Sequence, residues 1–224
     1  MHSGYDDLED IEAGVRAGRH REIIGGLWDE LGEHQLAFLI TQGMQRDHRL
    51  LDVGCGSLRL GSRAIAWLEP GRYFGTDIST SLIEAGLSRE LTQALRAKAP
   101  FSNFSANGEF DFDFLREPVD FAIAQSVFTH LPLNHLRRCL AKLAGGMRSG
   151  GRFFVTYFEC PGDADLYSPL VHEPAGIVTY DFRDPYHYRP ADLEWAIGDG
   201  PWRLEPIGDW GHPRGQQICA YVRQ

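Results

Sequence analysis

The stretch Leu50-Leu51-Asp52-Val53-Gly54-Cys55-Gly56-Ser57-Leu58-Arg59-Leu60-Gly61 decides the fold. It opens on a short apolar run that reads as a buried strand, bends through two glycines one residue apart, and leads into a helical segment from Ser62 to Leu68. Glycine has no Cβ and tolerates positive φ, so Gly54 and Gly56 let the backbone turn sharply and come close to a ligand. Asp77 ends the next predicted strand, Tyr73–Thr76, and lies 25 residues after Asp52. An acid at that place can accept hydrogen bonds from both hydroxyls of a ribose. The turn departs from the dinucleotide fingerprint GxGxxG, because Arg59 stands where glycine or alanine would be needed to seat a pyrophosphate. No Gly-Lys-Ser/Thr follows, so it is not a P-loop either. A ligand with a ribose and no phosphate fits the pattern.

Outward from this turn the chain alternates. Helices are predicted over 6–18 and 27–43, the second from the stripe Leu27, Leu31, Phe38 and Leu39. After the glycine turn come the strand at 73–76, a helix over 79–97, a short strand near 101–106 and a strand over 119–125. A helix then starts at Pro132, where proline suits the first turn, and ends near Gly145-Gly146. Gly150-Gly151 turns the chain into the strand 152–158. Such alternation makes a parallel sheet with helices on both faces. Residues 160–188, rich in Pro, Gly, Asp and aromatics, read as a long irregular loop, and a loop of that length is usually functional or disordered. A helix begins near Pro190. The strands 202–210 and 216–223, joined by a five-residue connection, must be antiparallel neighbours.

Composition bounds the function. The chain has 224 residues, 43% hydrophobic and 24% charged, as expected of one globular domain with a small extension. The net charge of −9 opposes binding to a phosphate backbone or an anionic membrane, so neither nucleic acid nor membrane is an expected partner. Cys55, Cys139, Cys160 and Cys219 lie far apart without a CxxC pair, which argues against a metal site and a disulfide framework and suits a reducing compartment. The acidic start of the chain is unlike a signal peptide, and no apolar run is long enough to span a bilayer. A cytoplasmic protein is expected; the sequence is silent on oligomeric state.

Four elements in order resemble the class I SAM-dependent methyltransferases: Asp52-Val53-Gly54-Cys55-Gly56, the acid Asp77, the strand end Val119-Asp120-Phe121-Ala122-Ile123-Ala124-Gln125-Ser126, and Met147-Arg148-Ser149-Gly150-Gly151-Arg152-Phe153. The resemblance covers about residues 45–224 and includes the final strand pair. It implies a Rossmann-like three-layer α/β sandwich, with a seven-stranded, mostly parallel sheet and an antiparallel last strand. It also implies S-adenosylmethionine (SAM) as cofactor. On this reading residues 1–45 are an N-terminal helical extension or lid, residues 46–224 are the methyltransferase domain, and 160–188 is its substrate-side loop.

Carried over residue by residue, the resemblance makes Gly54 and Gly56, with Cys55 and Ser57 between and after them, the floor under the cofactor. Asp52 becomes the acid that organises the turn near the methionyl amine, and Asp77, followed by Ile78, the ribose ligand. Adenine contacts are expected after the third strand. There Asn107 replaces the usual aspartate, and Glu109, Phe110 or Asp111 are alternatives. Gln125 and Ser126 are expected near the methionyl part.

Methyl transfer from a sulfonium is an in-line displacement that needs alignment and exclusion of water. A hydroxyl acceptor also needs a base, for which histidine suits pH 7. Ligands of such sheets bind beyond the C-terminal strand ends, and this selects His130, His187 and His212 as candidate bases. Tyr186, Tyr188, Trp210 and Arg214 are the candidate acceptor contacts, whereas Trp28, Trp67 and Trp195 read as core. The expectation is O-methylation of a small molecule by His187 or His130. N- or carboxyl-methylation, with Arg189 or Arg214 holding a carboxylate, is the nearest rival; a peptide or protein methyltransferase and a SAM-binding module without catalysis are further ones.

Overall fold

A computed structural model describes residues 7–224. The start of the first predicted helix, residue 6, lies outside the described residues. The chain divides into two compact units between residues 122 and 123, and β4 (Val119–Ala124) is the strand on which the division falls.

The first unit opens with α1 (Leu8–Arg16), α2 (His20–Ile23) and α3 (Trp28–Thr41). Asp7 caps α1 by accepting the Asp10 N–H at 3.0 Å, and Glu9 and Asp10 complement the helix dipole. The buried face of α1, Ile11 and Val15, packs with Leu82 and Ala85 and is flanked by Ile23 and Ile24. Then follow β1 (Leu50–Val53), α4 (Gly61–Trp67), β2 (Tyr73–Asp77) and α5 (Thr80–Ala85). The predicted helix over 79–97 is broken: α5 widens into a π-helical turn at Gly86–Glu90, and α6 (Gln93–Lys98) starts afresh from a Thr92 cap. Gly86 opens this turn against the glycine loop, where a Cβ would meet the Ser57 carbonyl at 2.6 Å. β3 (Phe104–Ala106) is shorter than expected because residues 101–103 form a 3₁₀ turn. β1 pairs parallel with β2, Leu50 opposite Tyr73, and β2 pairs parallel with β3, Gly75 opposite Phe104. β1 is buried along its whole length, as a strand covered on both faces must be.

The second unit contains α7 (Leu133–Leu143), preceded by Pro132 at its cap, and the long strand β5 (Met147–Glu159), which begins before Gly150 rather than after it. Residues 160–188 are mostly turns and bends, as read, with three short strands among them. They carry the hairpin β6 (Leu170–His172) and β7 (Ile177–Thr179), then β8 (His187–Tyr188), which pairs parallel with β5. After α8 (Pro190–Trp195), β9 (Trp202–Asp209) and β10 (Gln217–Arg223) form the expected antiparallel pair, with a register shift at Ile218/Cys219, and β10 runs antiparallel to β5. The main sheet has eight strands, mostly parallel, in the Rossmann-like manner. All four cysteines are buried thiols. Trp28 is buried, but Trp195 is half exposed under the Arg137 guanidinium, a correction to its reading as core.

Candidate active site

The glycine turn follows β1 in left-handed backbone at three residues: Gly54 (φ 75°), Gly56 (φ 51°) and Leu58 (φ 69°). The first two were visible in the sequence and the third was not. Four non-glycine residues among those described have positive φ, and three of them, Leu58, Phe110 and Ser126, follow β1, β3 and β4. Strained backbone of this kind persists where the surroundings over-determine it, and it concentrates at functional sites.

Asp77 holds the turn. Its carboxylate accepts the Gly56 N–H at 2.8 Å and the Ser79 N–H at 2.9 Å, which binds the turn to the start of α5. Burial raises its pKa, and N–H donors from Ser79, Gly56 and Ile78 oppose that shift. Asp52 accepts the Tyr73 hydroxyl at 2.7 Å. Burial pushes its pKa up to about 7, against the pull of the Tyr73 hydrogen bond and the Arg59 charge and with the push of Asp77. Cys55 lies beneath the turn, where its Sγ would stand 2.9 Å from a Cβ on Gly75, and burial drives its pKa well up. Ile78 is exposed beside Gly108 and offers an apolar face next to the Asp77 carboxylate. A carboxylate flanked by positive-φ glycine backbone and an apolar platform is a donor set that fits an adenosine carrying no phosphate.

Two expected contacts have other work. The Asn107 side chain folds its own loop: it donates to Ser105 Oγ and the Asp111 carbonyl and accepts the Asp111 N–H. Phe110 is buried, while Glu109 and Asp111 are exposed. Ser57 is fully buried, and its hydroxyl donates to the His20 carbonyl at 3.0 Å. That bond belongs to a strap the sequence did not disclose. Residues 20–26 lie on the glycine turn, with Ile24 where a Gly56 Cβ would be (2.7 Å) and Arg59 donating to the carbonyls of Ile24 and Gly26. The arginine that breaks the dinucleotide fingerprint is therefore the anchor of the strap. His20 and Arg21 both bind Glu90 on the π-helical turn, each at 2.6 Å, fixing the strap from its other side.

In the second unit the three candidate histidines have different surroundings. His130 Nδ1 lies 2.5 Å from Asp184 Oδ1, each side chain about a quarter exposed. A carboxylate at Nδ1 fixes the orientation of the ring and favours its protonated form. The same loop is tied down where the Tyr186 N–H donates to the Thr129 carbonyl at 2.7 Å. His187 is buried and both ring nitrogens are engaged: Nδ1 with the Thr179 hydroxyl (2.8 Å) and Nε2 with the Leu166 carbonyl (2.9 Å). It braces the 160–188 segment, and its reading as a base is corrected on that ground. His172 completes the brace through the same Thr179 hydroxyl at 2.8 Å.

His212 is buried against Trp210, accepts the Arg214 N–H on Nδ1, and sets Nε2 3.3 Å from the Gln125 amide. Gln125, Ser126 and Gln216 continue this polar cluster, Ser126 Oγ meeting both Gln125 and Gln216. Trp210 and Tyr188, expected to touch the acceptor, are buried; their polar atoms donate to the Gln216 and Leu131 carbonyls. Tyr186 remains partly exposed and stacks on Tyr188.

Residues 51–153 match the family model described as a methyltransferase domain. The whole chain superimposes on all of the magnesium protoporphyrin IX methyltransferase of Synechocystis, crystallised with SAM, at TM-score 0.59 and 18% identity. A sugar N-methyltransferase of Streptoalloteichus is similar over 86% of this chain and 87% of its own, at TM-score 0.58 and 19% identity. A SAM-dependent methyltransferase of Clostridium acetobutylicum is similar over 94% and 97%, at TM-score 0.62 and 10% identity. Residues 51–153 thus match a methyltransferase domain, and the chain has the fold of these SAM-dependent methyltransferases. No helix among the described residues is long and apolar enough to cross a membrane.

Proposed function

We propose that this enzyme methylates a hydroxyl group of a small molecule, with His130 as the base. The observation that carries the reading is the His130–Asp184 pair at 2.5 Å, in the segment that follows β4. Bound SAM supplies a methyl already activated on a sulfonium. His130 would take the proton of the acceptor hydroxyl as the methyl is transferred, and Asp184 would hold the resulting imidazolium. In the first unit Asp77 would bind the ribose hydroxyls, Gly54 and Gly56 would lie beneath the nucleoside, Ile78 would face the adenine, and Asp52 would serve the methionyl amine. The strap of residues 20–26 would act as the inner surface of the 1–45 lid and keep water from the donor.

The small-molecule reading is supported by the activities of the Synechocystis and Streptoalloteichus enzymes. The latter also favours a second reading, an amine acceptor, for which the same base would remove an ammonium proton. Transfer from labelled SAM to matched panels of alcohols, amines and carboxylic acids separates the two. Labelling confined to carboxylic acids, or full turnover by His130→Ala, would overturn the base assignment.

A further inference from the structure

Arg183 stands out in a chain that carries 31 acids and a net charge of −9. Its Nε is buried without a hydrogen-bond partner. Its guanidinium lies 3.7 Å from the Tyr180 ring centroid and 5.8 Å from that of Phe182. Two acids sit within two residues of it, Asp181 and Asp184, yet neither forms an ion pair with it among the described residues, and Asp184 is bound to His130. The loop that carries it is closed on itself, since the Tyr180 N–H donates to the Pro185 carbonyl and the His187 N–H to the Tyr180 carbonyl. A cation is thus placed over aromatic rings without an ion-pair partner, one residue from the carboxylate that orients the proposed base. The exposed ring of Phe182 adds apolar surface beside it.

We infer that Arg183 binds an oxyanion, carboxylate or phosphate, on the methyl acceptor, so that the substrates of this enzyme are anionic small molecules. The inference rests on the acceptor reading above and sharpens it to a substrate class. Guanidinium matches the geometry of either oxyanion with two parallel hydrogen bonds, and stacking on Tyr180 pre-orders the fork without neutralising it. Asp181 and Asp184 temper the local charge, so single-anion probes should bind in the millimolar range and gain affinity as salt is lowered.

The test is calorimetry on the full chain loaded with S-adenosylhomocysteine (SAH), titrated with benzoate, phenyl phosphate and neutral benzamide. Saturable binding is expected for at least one of the anions, the better one naming the oxyanion, with benzamide at least ~10-fold weaker. Arg183→Met keeps the packing on Tyr180 and removes the charge; it should weaken the anion at least ~10-fold with an unchanged melting temperature and unchanged SAH affinity. Arg183→Lys keeps the charge without the fork and should fall between, which decides the matter if the methionine variant does not fold. The inference is overturned if neither anion saturates, if benzamide binds as well, or if both variants bind like the wild-type chain. A wild-type chain that fails to bind SAH would instead overturn the donor reading beneath it.

Discussion

The turn after β1 and the segment 160–188 are of opposite kinds. In the turn, function lies in the backbone: Gly54 and Gly56 are there because their φ values of 75° and 51° are costly for other residues, and glycine is legible in any sequence. In the segment, function lies in which side chain meets which partner. His130 and His187 are both histidines that the sequence places after strand ends, yet the first is paired with Asp184 of the segment and the second, within β8, is tied to Thr179 and Leu166. Residue type and position along a strand therefore locate a donor turn, but they do not tell a base from a brace.

The comparison can be broken most sharply at the histidines. His130→Ala should lower kcat by about 10²–10⁴ while SAM affinity stays unchanged, as measured by single-turnover kinetics and calorimetry. His187→Ala should keep kcat per folded molecule and lose stability instead. It leaves the Thr179 hydroxyl and the Leu166 carbonyl short of a partner in the interior, at about 1–3 kcal/mol, which urea denaturation would read. The reverse pattern would exchange the two roles.

At the turn, Gly56→Val forces a side chain into left-handed backbone and onto Ile24, and SAM affinity should fall on the order of 100-fold. Asp77→Asn removes the charge that would bind the ribose and should weaken SAM by roughly 10–100-fold, since a hydrogen bond to a charged group contributes about 1.5–3 kcal/mol. Calorimetric titration checks both.

The smallest effect is a pH dependence. Asp52 titrates near 7 in the folded chain and near 3.8 when exposed. The folded state thus holds its proton more tightly; the associated stability is complete below pH ~4 and lost as pH rises through about 7. An ammonium beside Asp52 favours its ionised form, so SAM binding should release a proton and affinity should rise with pH, by up to about tenfold per unit below 7, then level off. Asp52→Asn should flatten this profile.

Residues 50–125 were read closely from their pattern because apolar runs, glycines and a strand-ending acid are local signals. The misreadings have local causes too. The helix whose periodicity runs on past residue 85 is interrupted by the π-helical turn Gly86–Glu90, and the hydrogen bonds that engage Asn107 cannot be seen from its position alone. Arg59 read as an exclusion, and only the carbonyls of Ile24 and Gly26 give it a positive role. The residues 160–188 read as irregular because β6, β7 and β8 are two or three residues each, too short to show a period.

By itself, then, the amino-acid order determined a strand–glycine–helix unit with an acid at the end of the next strand, and through it the resemblance to the SAM-dependent methyltransferases. Only the tertiary structure decided that residues 20–26 cover that turn, that His187 is a brace, and that His130 meets Asp184 54 residues further along the chain. The physical reason is range. A backbone turn is specified by the few residues that form it, whereas the state of a buried histidine depends on the atoms that reach its two nitrogens, and those come from distant parts of the chain.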